Sequence, residues 1–168
     1  MGWNPAGTQA ILVGASGTIL VFQNSLIQPI SSGTTNSLNA IAWNPNGQYA
    51  LIAGAGGTIL RYDGVSITAL NTAGIYSSTL AVESIAWNQA GTLALLVGDY
   101  GLVLSYDGTS LTALPTLTSN FLWSVSWSGG TATIVGGSGT VMTYTNGTLT
   151  KIVTNNSSSL RGIAWKPS

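Results

Sequence analysis

A six-residue phrase ending in tryptophan recurs along almost the whole chain, and it constrains the fold more than any other feature. The phrase occupies residues 38–43, 82–87, 122–127 and 160–165, and Trp3 ends a fifth, partial copy. Successive tryptophans at the end of the phrase are 40, 44, 40 and 38 residues apart. A period near 40 residues made of short strands is typical of propeller arrays. The spacing therefore predicts an all-β fold assembled from repeated units.

Each repeat divides into four strands separated by turn signals. In the second copy, a Pro-Asn-Gly sequence, a Gly-x-x-Gly sequence and an Asp-Gly pair interrupt four short runs of strand-forming residues. The other copies carry equivalent turns, so we expect sixteen strands in the chain. Four hairpin-linked strands in each period indicate a propeller blade. The strands of the second copy are predicted at 38–43, 49–53, 58–62 and 65–70.

The two ends of the sequence predict how the blades close. The first copy lacks its leading strand and the last copy is only a leading strand, so we expect residues 160–165 to complete the first blade. This "velcro" closure would remove an exposed sheet edge. A monomer satisfies it as a four-bladed ring. A homodimer that exchanges ends between chains satisfies it as an eight-bladed ring, which the redundancy of Trp3 and Trp165 favours. We expect one β-propeller domain, 1–168, with blades at 8–32 plus 160–165, 38–70, 82–114 and 121–153.

The repeated phrase also predicts how neighbouring blades pack. Side chains alternate along a strand, so Ile41 and Trp43 share one face while two alanines share the other. The same division into a bulky and a small face recurs in every copy. We expect the bulky face of one blade to meet the small face of the next. A structural role is therefore predicted for Trp43, Trp87, Trp127 and Trp165.

Composition excludes several classes of function. Only 5% of residues are charged and the net charge is zero, so neither nucleic acid nor an anionic membrane is an expected partner. The chain has no cysteine and no histidine, which removes disulfides and the commonest metal ligands, and we expect no cofactor and no metal site. Serine, threonine, asparagine and glycine dominate the polar positions, a composition that favours an extracellular origin.

The titratable residues also argue against catalysis. The chain lacks the histidine and cysteine on which general acid–base and nucleophilic catalysis most often depend. Its four acids fall at different positions of the repeat, apart from one pair in equivalent turns. We therefore predict no catalytic residue and no enzymatic activity, with a paired-carboxylate glycoside hydrolase as the remote alternative. The acids are Asp63, Glu83, Asp99 and Asp107, of which Asp63 and Asp107 are the turn pair.

One position of the repeated phrase changes in character from copy to copy. It is the second residue, and it contributes one acid, one cation and the one tryptophan outside the repeated position. Because inner strands line the channel of a propeller, we predict an asymmetric ligand-binding site at the channel mouth. The alternatives are drift at a tolerant position and a simple ion pair between Glu83 and Arg161. The four residues are Asn39, Glu83, Trp123 and Arg161. Two loop tyrosines, Tyr76 and Tyr100, are further candidates for contact with a partner.

The repeat resembles the loose superfamily of WD-like (WD40-like) and sialidase-like propeller blades over nearly the whole chain. It lacks the Gly-His and Trp-Asp dipeptides of the first group. The sequences at 62–65 and 106–109 also lack the downstream tryptophan of the sialidase Asp-box. The resemblance therefore implies a fold and carries over no catalytic residue.

We predict a non-enzymatic propeller that acts as a rigid interaction or scaffold module. Its ligand is an unidentified protein or glycan. A carbohydrate-binding, lectin-like propeller is the alternative function, and a fragmentary or engineered segment of a longer repeat array is a further interpretation. A lectin should repeat equivalent sites in several blades, whereas the non-repeating residues indicate one site.

Overall fold

Sixteen strands in four antiparallel sheets make up nearly all the regular structure of residues 1–165, the part of the chain that the computed structural model describes. Each sheet holds four strands in chain order. The prediction of an all-β fold with four four-stranded repeats is confirmed.

Residues Met1–Val82 form one compact unit that contains the first two sheets. The strands of the first sheet are β1 (Gly2–Trp3), β2 (Gln9–Val13), β3 (Ile19–Gln23) and β4 (Leu26–Ile30). Those of the second are β5 (Leu38–Trp43), β6 (Ala50–Gly54), β7 (Ile59–Tyr62) and β8 (Ile67–Ala69).

Residues Glu83–Ser168 form the second compact unit, and the third sheet begins at its boundary. The strands of the third sheet are β9 (Val82–Trp87), β10 (Ala94–Gly98), β11 (Val103–Tyr106) and β12 (Leu111–Ala113). Those of the fourth are β13 (Leu122–Ser128), β14 (Thr131–Gly136), β15 (Val141–Thr145) and β16 (Thr148–Ile152).

An edge-to-face aromatic pair recurs in every sheet. The tryptophan at or next to the end of the first strand meets a ring at or next to the end of the third strand, with centroids 5.7–6.1 Å apart and planes at 73–86°. Such T-shaped pairs add about 0.5–1.5 kcal/mol to the burial of the rings. The sequence identified the tryptophans but not their partners. The pairs are Trp3–Phe22, Trp43–Tyr62, Trp87–Tyr106 and Trp127–Tyr144.

The first sheet differs from the prediction in the origin of its leading strand. β1 pairs with β2, placing Trp3 opposite Ala10 and Gly2 opposite Ile11. Residues 160–165, predicted to fill this position, form no strand, and Trp165 is 47% exposed rather than buried in a structural role.

The local pairing has a simple physical cause. A tight turn at Asn4–Gly7 returns the chain directly onto β2, and the Asn4 side chain accepts hydrogen bonds from the backbone N–H groups of Thr8 and Gln9. Closing so short a loop costs less entropy than recruiting a segment some 150 residues away. Trp3 then takes the place in the first sheet that the sequence analysis predicted for Trp165, and its ring meets Phe22.

The predicted packing of bulky against small faces is confirmed within each unit. In the second unit, Trp127 of β13 donates its indole N–H to the carbonyl oxygen of Ala86 on β9, at 3.1 Å. In the first unit, Gly2 of β1 lies beside Ile41 of β5, where an added Cβ would stand 3.4 Å from the isoleucine side chain. Small residues on one strand therefore make room for the large residues of the next.

Candidate functional site

In two of the four copies, the residue position that diverges coincides with a register shift of the β-bulge type. The pairing of β5 with β6 shifts register between Leu38 and Ala40, and that of β13 with β14 shifts between Leu122 and Ser124. Asn39 and Trp123 therefore lie in the bulges. Because bulges redirect side chains, the side chains of Asn39 and Trp123 depart from the regular alternation of their strands.

The structure brings together two of the four predicted site residues. The Arg161 guanidinium carbon lies 5.0 Å from the centroid of the Trp123 ring, within the range of a cation–π contact. Glu83 is half-buried on β9. Asn39 belongs to the first unit and donates its side-chain amide to the carbonyl oxygen of Val82 at 3.3 Å.

Three aromatic side chains form a continuous row in the second unit. Phe121 stacks on Trp123 with their centroids 5.3 Å apart and their planes at 9°. Tyr100 lies against Phe121 at 5.2 Å with a tilt of 40°. Tyr100 is 59% exposed and Phe121 37% exposed. We call Tyr100, Phe121 and Trp123 the aromatic row, and Arg161 lies at its Trp123 end.

The row occurs at one of four equivalent sets of positions in the repeat. Each set consists of the third residue of a Gly-x-x-Gly turn, the residue before the next phrase, and the second residue of that phrase. The chain has six tryptophans, six tyrosines and two phenylalanines, most of them in the repeated pairs, yet three converge here. The other sets are Ser16/Ser37/Asn39, Gly56/Ala81/Glu83 and Ser138/Ser159/Arg161.

Tyr100 adopts a backbone conformation that disfavours a bulky side chain. Its φ is +51°, in the left-handed region, and the equivalent turn positions share that region. A non-glycine residue there costs about 1 kcal/mol or more. The second copy has glycine at this position, which removes the cost. The first and fourth copies carry serine in the same region, so three of the four copies bear this cost. The equivalent residues are Ser16, Gly56 and Ser138, with φ of +53°, +66° and +50°.

The indole N–H of Trp123 contributes no hydrogen bond to the site. Its Nε1 is buried and has no acceptor among residues 1–165, as is also true of Trp43. The Trp123 ring therefore presents apolar atoms to the row. Hydrogen-bond donors at the surface of the row are the Tyr100 hydroxyl and the Arg161 guanidinium.

Sequence reasoning identified Trp123, Arg161 and Tyr100 but missed Phe121. The signal was present, since the residue before the phrase is Ser37, Ala81 or Ser159 in the other copies. Aligning one further column of the repeat would have placed Phe121 beside Trp123. Tyr76, the other tyrosine singled out, is half-buried and lies in the first unit.

The two turn aspartates bind backbone N–H groups rather than a ligand. Asp63 Oδ1 accepts from the N–H groups of Val65 and Ser66, at 2.9 and 2.8 Å, and Asp107 makes the equivalent bonds. The Ser66 and Val65 N–H groups lower the pKa of Asp63 to about 2. Ser110 and Thr109 lower the pKa of Asp107 in the same way.

The lowered pKa values of Asp63 and Asp107 predict the pH range in which the free energy of unfolding depends on pH. Their folded-state pKa values lie below the unfolded value near 3.9, so the stabilisation is present above about pH 4 and is lost as the pH falls towards 2. We expect urea unfolding to be nearly constant from pH 5 to 8. The Asp63→Asn/Asp107→Asn variant, which keeps an acceptor oxygen, should lose less stability in acid. An unchanged acid profile would contradict this assignment.

The Tyr76→Phe substitution is expected to leave the free energy of unfolding unchanged or to raise it. Burial raises the pKa of Tyr76 to about 12, and the hydroxyl has no hydrogen-bond partner within residues 1–165. Removing an unsatisfied buried hydroxyl should leave stability unchanged or raise it by up to about 1 kcal/mol. Tyr62→Phe is the matched control, because the Tyr62 hydroxyl donates to the Gly64 carbonyl at 2.8 Å. Urea unfolding should show a loss for Tyr62→Phe, and an equal loss for Tyr76→Phe would refute the prediction.

A polar cleft in the first unit shows no catalytic constellation. It encloses about 720 Å³ and is lined by serine, threonine, glycine, asparagine, proline and isoleucine, including Ser16, Ser32 and Thr34. Its lining carries no titratable side chain. Within residues 1–165, no three acidic, histidine or cysteine side chains cluster in a way that could hold a metal ion.

No helix in the described part of the chain has the length and apolar character needed to cross a bilayer.

Comparison with solved structures shows the fold. The chain is similar to the crystal structure of Sqt1 from Chaetomium thermophilum, with a TM-score of 0.72 and 17% sequence identity over 86% of this chain. The match covers 44% of the Sqt1 chain, so this chain spans less than half of that structure. At this identity the similarity shows the fold alone, that of a WD40-like β-propeller. No curated protein matches the sequence.

Comparison with protein families gives a match over the first half of the chain. The family described as "Eukaryotic translation initiation factor eIF2A" matches residues 1–97 of the 168. It is a family of WD40-like β-propellers, in agreement with the four-stranded sheets seen here. The chain therefore belongs to the eukaryotic translation initiation factor eIF2A family.

Proposed function

We propose that the chain is a non-enzymatic propeller module that binds a partner protein, and that the aromatic row is its docking surface. The convergence of three aromatic residues at one of four equivalent sets of positions carries the proposal. Drift changes positions independently, whereas Tyr100, Phe121 and Trp123 touch one another in series. Selection for one binding surface explains why all three differ from the other copies.

The chemistry of the row supports a protein partner. Trp, Tyr and Arg are the residues most enriched at the energetic centres of protein interfaces, and all three are present here. The sheets on either side of the row supply a rigid base, which keeps the entropic cost of binding low. The WD40-like propeller fold likewise favours an interaction scaffold.

The family suggests the setting in which such a partner would be found. Because the family is described as a translation initiation factor, a component of the translation machinery is the expected partner. The row lies beyond residues 1–97, which are the residues that match the family. The family match therefore does not describe the row itself. Family membership gives no support to the extracellular origin, which stays a prediction from composition.

The lectin-like alternative has less structural support. A lectin should repeat its site in several blades, whereas the row occurs at one of the four equivalent sets of positions in the repeat. We therefore favour a protein over a glycan as the ligand, and a glycoside hydrolase stays the remote alternative.

The channel-mouth site of Asn39, Glu83, Trp123 and Arg161 stays a proposal. Trp123 and Arg161 take part in the aromatic row, so this half of the site has a defined geometry. Alanine at Glu83 tests the other half, because it should weaken binding of the partner only if the site extends beyond the row.

The homodimer formed by exchange of residues 160–165 is a separate proposal. Light scattering distinguishes it from the monomer. A mass near 17.2 kDa indicates a monomer, and twice that mass indicates two chains. Because Gly2–Trp3 already pairs with β2, exchange would require the incoming strand to displace it.

A peptide-display selection tests the proposed function without assuming a ligand. Random peptides would be selected against the whole chain and tested again on a Tyr100→Ser/Phe121→Ser variant, which restores residues of the other copies. We expect the recovered binders to lose about tenfold or more in affinity on this variant. Val153→Ser is the matched control, since Val153 is 87% exposed and outside the row. Binders that are indifferent to the row would refute the docking surface.

A further inference from the structure

We infer that the aromatic row binds an extended, proline-containing peptide segment whose acidic residue pairs with Arg161. The inference rests on the proposed function, because it names the class of partner for the same surface. It follows from the shape of the row, from the hydrogen-bond donors at its two ends and from the charge of the exposed Arg161.

The row has the width of one ring and a length suited to a short extended segment. Successive centroids are 5.2 and 5.3 Å apart, and the guanidinium follows at 5.0 Å. A polyproline II chain advances about 3.1 Å per residue, so about five residues would span the row. Aromatic-lined surfaces bind such chains because the peptide is already extended and loses little entropy.

The donors at the surface complement a peptide that has acceptors but few donors. Proline lacks an N–H, and the carbonyl oxygens of a polyproline II chain point outwards without internal partners. The exposed Tyr100 hydroxyl can donate at one end of the row and the Arg161 guanidinium at the other. The Trp123 Nε1 is buried, so this ring contributes apolar contact only.

The charge of Arg161 selects an acidic residue at that end. Arg161 is exposed, and its guanidinium lies over the Trp123 ring. A guanidinium held over an indole ring keeps its N–H groups directed to the side, where a carboxylate can accept two hydrogen bonds. In a peptide with glutamate or aspartate after its prolines, the prolines would contact the aromatic row and the carboxylate would pair with the Arg161 guanidinium.

Single-stranded nucleic acid is the other occupant that stacked aromatic rings and an arginine could attract. It is disfavoured because backbone binding requires several cations. In the described part of the second unit, the cations are Lys151 and Arg161. The experiment below includes an oligonucleotide, and its binding to the row would overturn the inference.

Nuclear magnetic resonance titration of the whole chain tests the inference with defined probes. The first probe is a five-proline peptide ending in two glutamates, the second replaces the glutamates by lysines, and the third replaces the prolines by glycine and serine. A uridine oligonucleotide is the fourth. We expect the first to shift the ring signals of Tyr100, Phe121 and Trp123 saturably. The second should bind about threefold more weakly, the change expected for one exposed ion pair. The third and fourth should not saturate.

Variants make each part of the inference falsifiable. Arg161→Gln should remove the preference for glutamate over lysine while leaving binding of the prolines. Tyr100→Ser/Phe121→Ser should abolish the saturable shifts, and Val153→Ser should leave them intact. Equal binding of the first and third probes would overturn the proline assignment, and an undiminished glutamate preference in Arg161→Gln would overturn the acidic one.

The display selection separates failure of this inference from failure of the proposed function. Row-dependent binders enriched in proline and acidic residues would support both. Row-dependent binders of another composition would overturn the peptide class and leave the docking surface standing. Binders that all ignore the row would overturn the two together.

Discussion

Replacement of Trp87 by alanine is expected to lower the free energy of unfolding by about 3–5 kcal/mol. Trp87 is 8% exposed, and its ring meets Tyr106 edge-to-face at 6.1 Å. The substitution removes the apolar area of the indole, leaves a cavity beside Tyr106 and abolishes the aromatic pair. Urea unfolding followed by tryptophan fluorescence or circular dichroism measures the loss.

Trp165→Ala is the matched control for this experiment. It removes the same side chain from an equivalent position of the repeated phrase, but Trp165 is 47% exposed and belongs to no strand. We expect a loss below about 1 kcal/mol, as for most exposed substitutions. A loss at Trp165 equal to that at Trp87 would show that the late copy of the phrase is also part of a core.

Gly101→Ala is expected to cost at least about 3 kcal/mol, for a steric rather than an apolar reason. Gly101 has φ of +77°, and a Cβ at this position would collide with the carbonyl oxygen of Thr118. Part of the cost is the left-handed backbone and part is the displacement of the Thr118 peptide. The turn is held by hydrogen bonds from the Leu102 N–H to the Asp99 carbonyl and from the Gly98 N–H to the Leu102 carbonyl, so it cannot move away from Thr118 without breaking them.

Gly74→Ala separates these two contributions. Gly74 has nearly the same φ, +76°, but nothing lies within 4 Å of an added Cβ. It should cost about 1 kcal/mol, which is the backbone term alone. The excess for Gly101→Ala then measures the collision, and equal losses in urea unfolding would show that the close approach to Thr118 has no energetic effect.

The strand content was predictable because one local pattern is repeated. Each copy repeats the same turn residues and the same alternation of large and small side chains. A strand that is ambiguous in one copy can therefore be assigned from the equivalent strand of another. The leading strand of the first sheet was not predictable in this way. The repeat shows that such a strand is needed, but the choice between Gly2–Trp3 and residues 160–165 depends on loop closure, which no periodicity records.

The candidate site was predictable only in part. The divergence of Trp123 and Arg161 from the other copies is visible in the sequence, and the structure places them in contact. That Asn39 and Trp123 lie in bulges follows from strand register, which the sequence does not specify. The contact between the Phe121 and Tyr100 rings, and the left-handed backbone of Tyr100, are visible only in the structure.

Under the proposed function, the residues that hold the sheets together are distinct from those of the aromatic row. The repeated pairs, such as Trp87 with Tyr106, belong to the first group. Tyr100 belongs to the second, at a position whose left-handed backbone makes glycine the less costly residue for the fold. Replacing it with the glycine of the second copy should therefore favour stability at the expense of binding, the trade-off expected of a functional site.

The most direct test is the free energy of unfolding, in urea, of the Tyr100→Gly/Phe121→Ser variant, which carries the second copy's glycine and a serine found in other copies. Relief of the Tyr100 backbone should offset the loss of the partly exposed Phe121 ring, so we predict a value within about 1 kcal/mol of the unmodified chain. A loss of about 3 kcal/mol or more, comparable with that of Trp87→Ala, would contradict the account, because it would make the aromatic row part of the core.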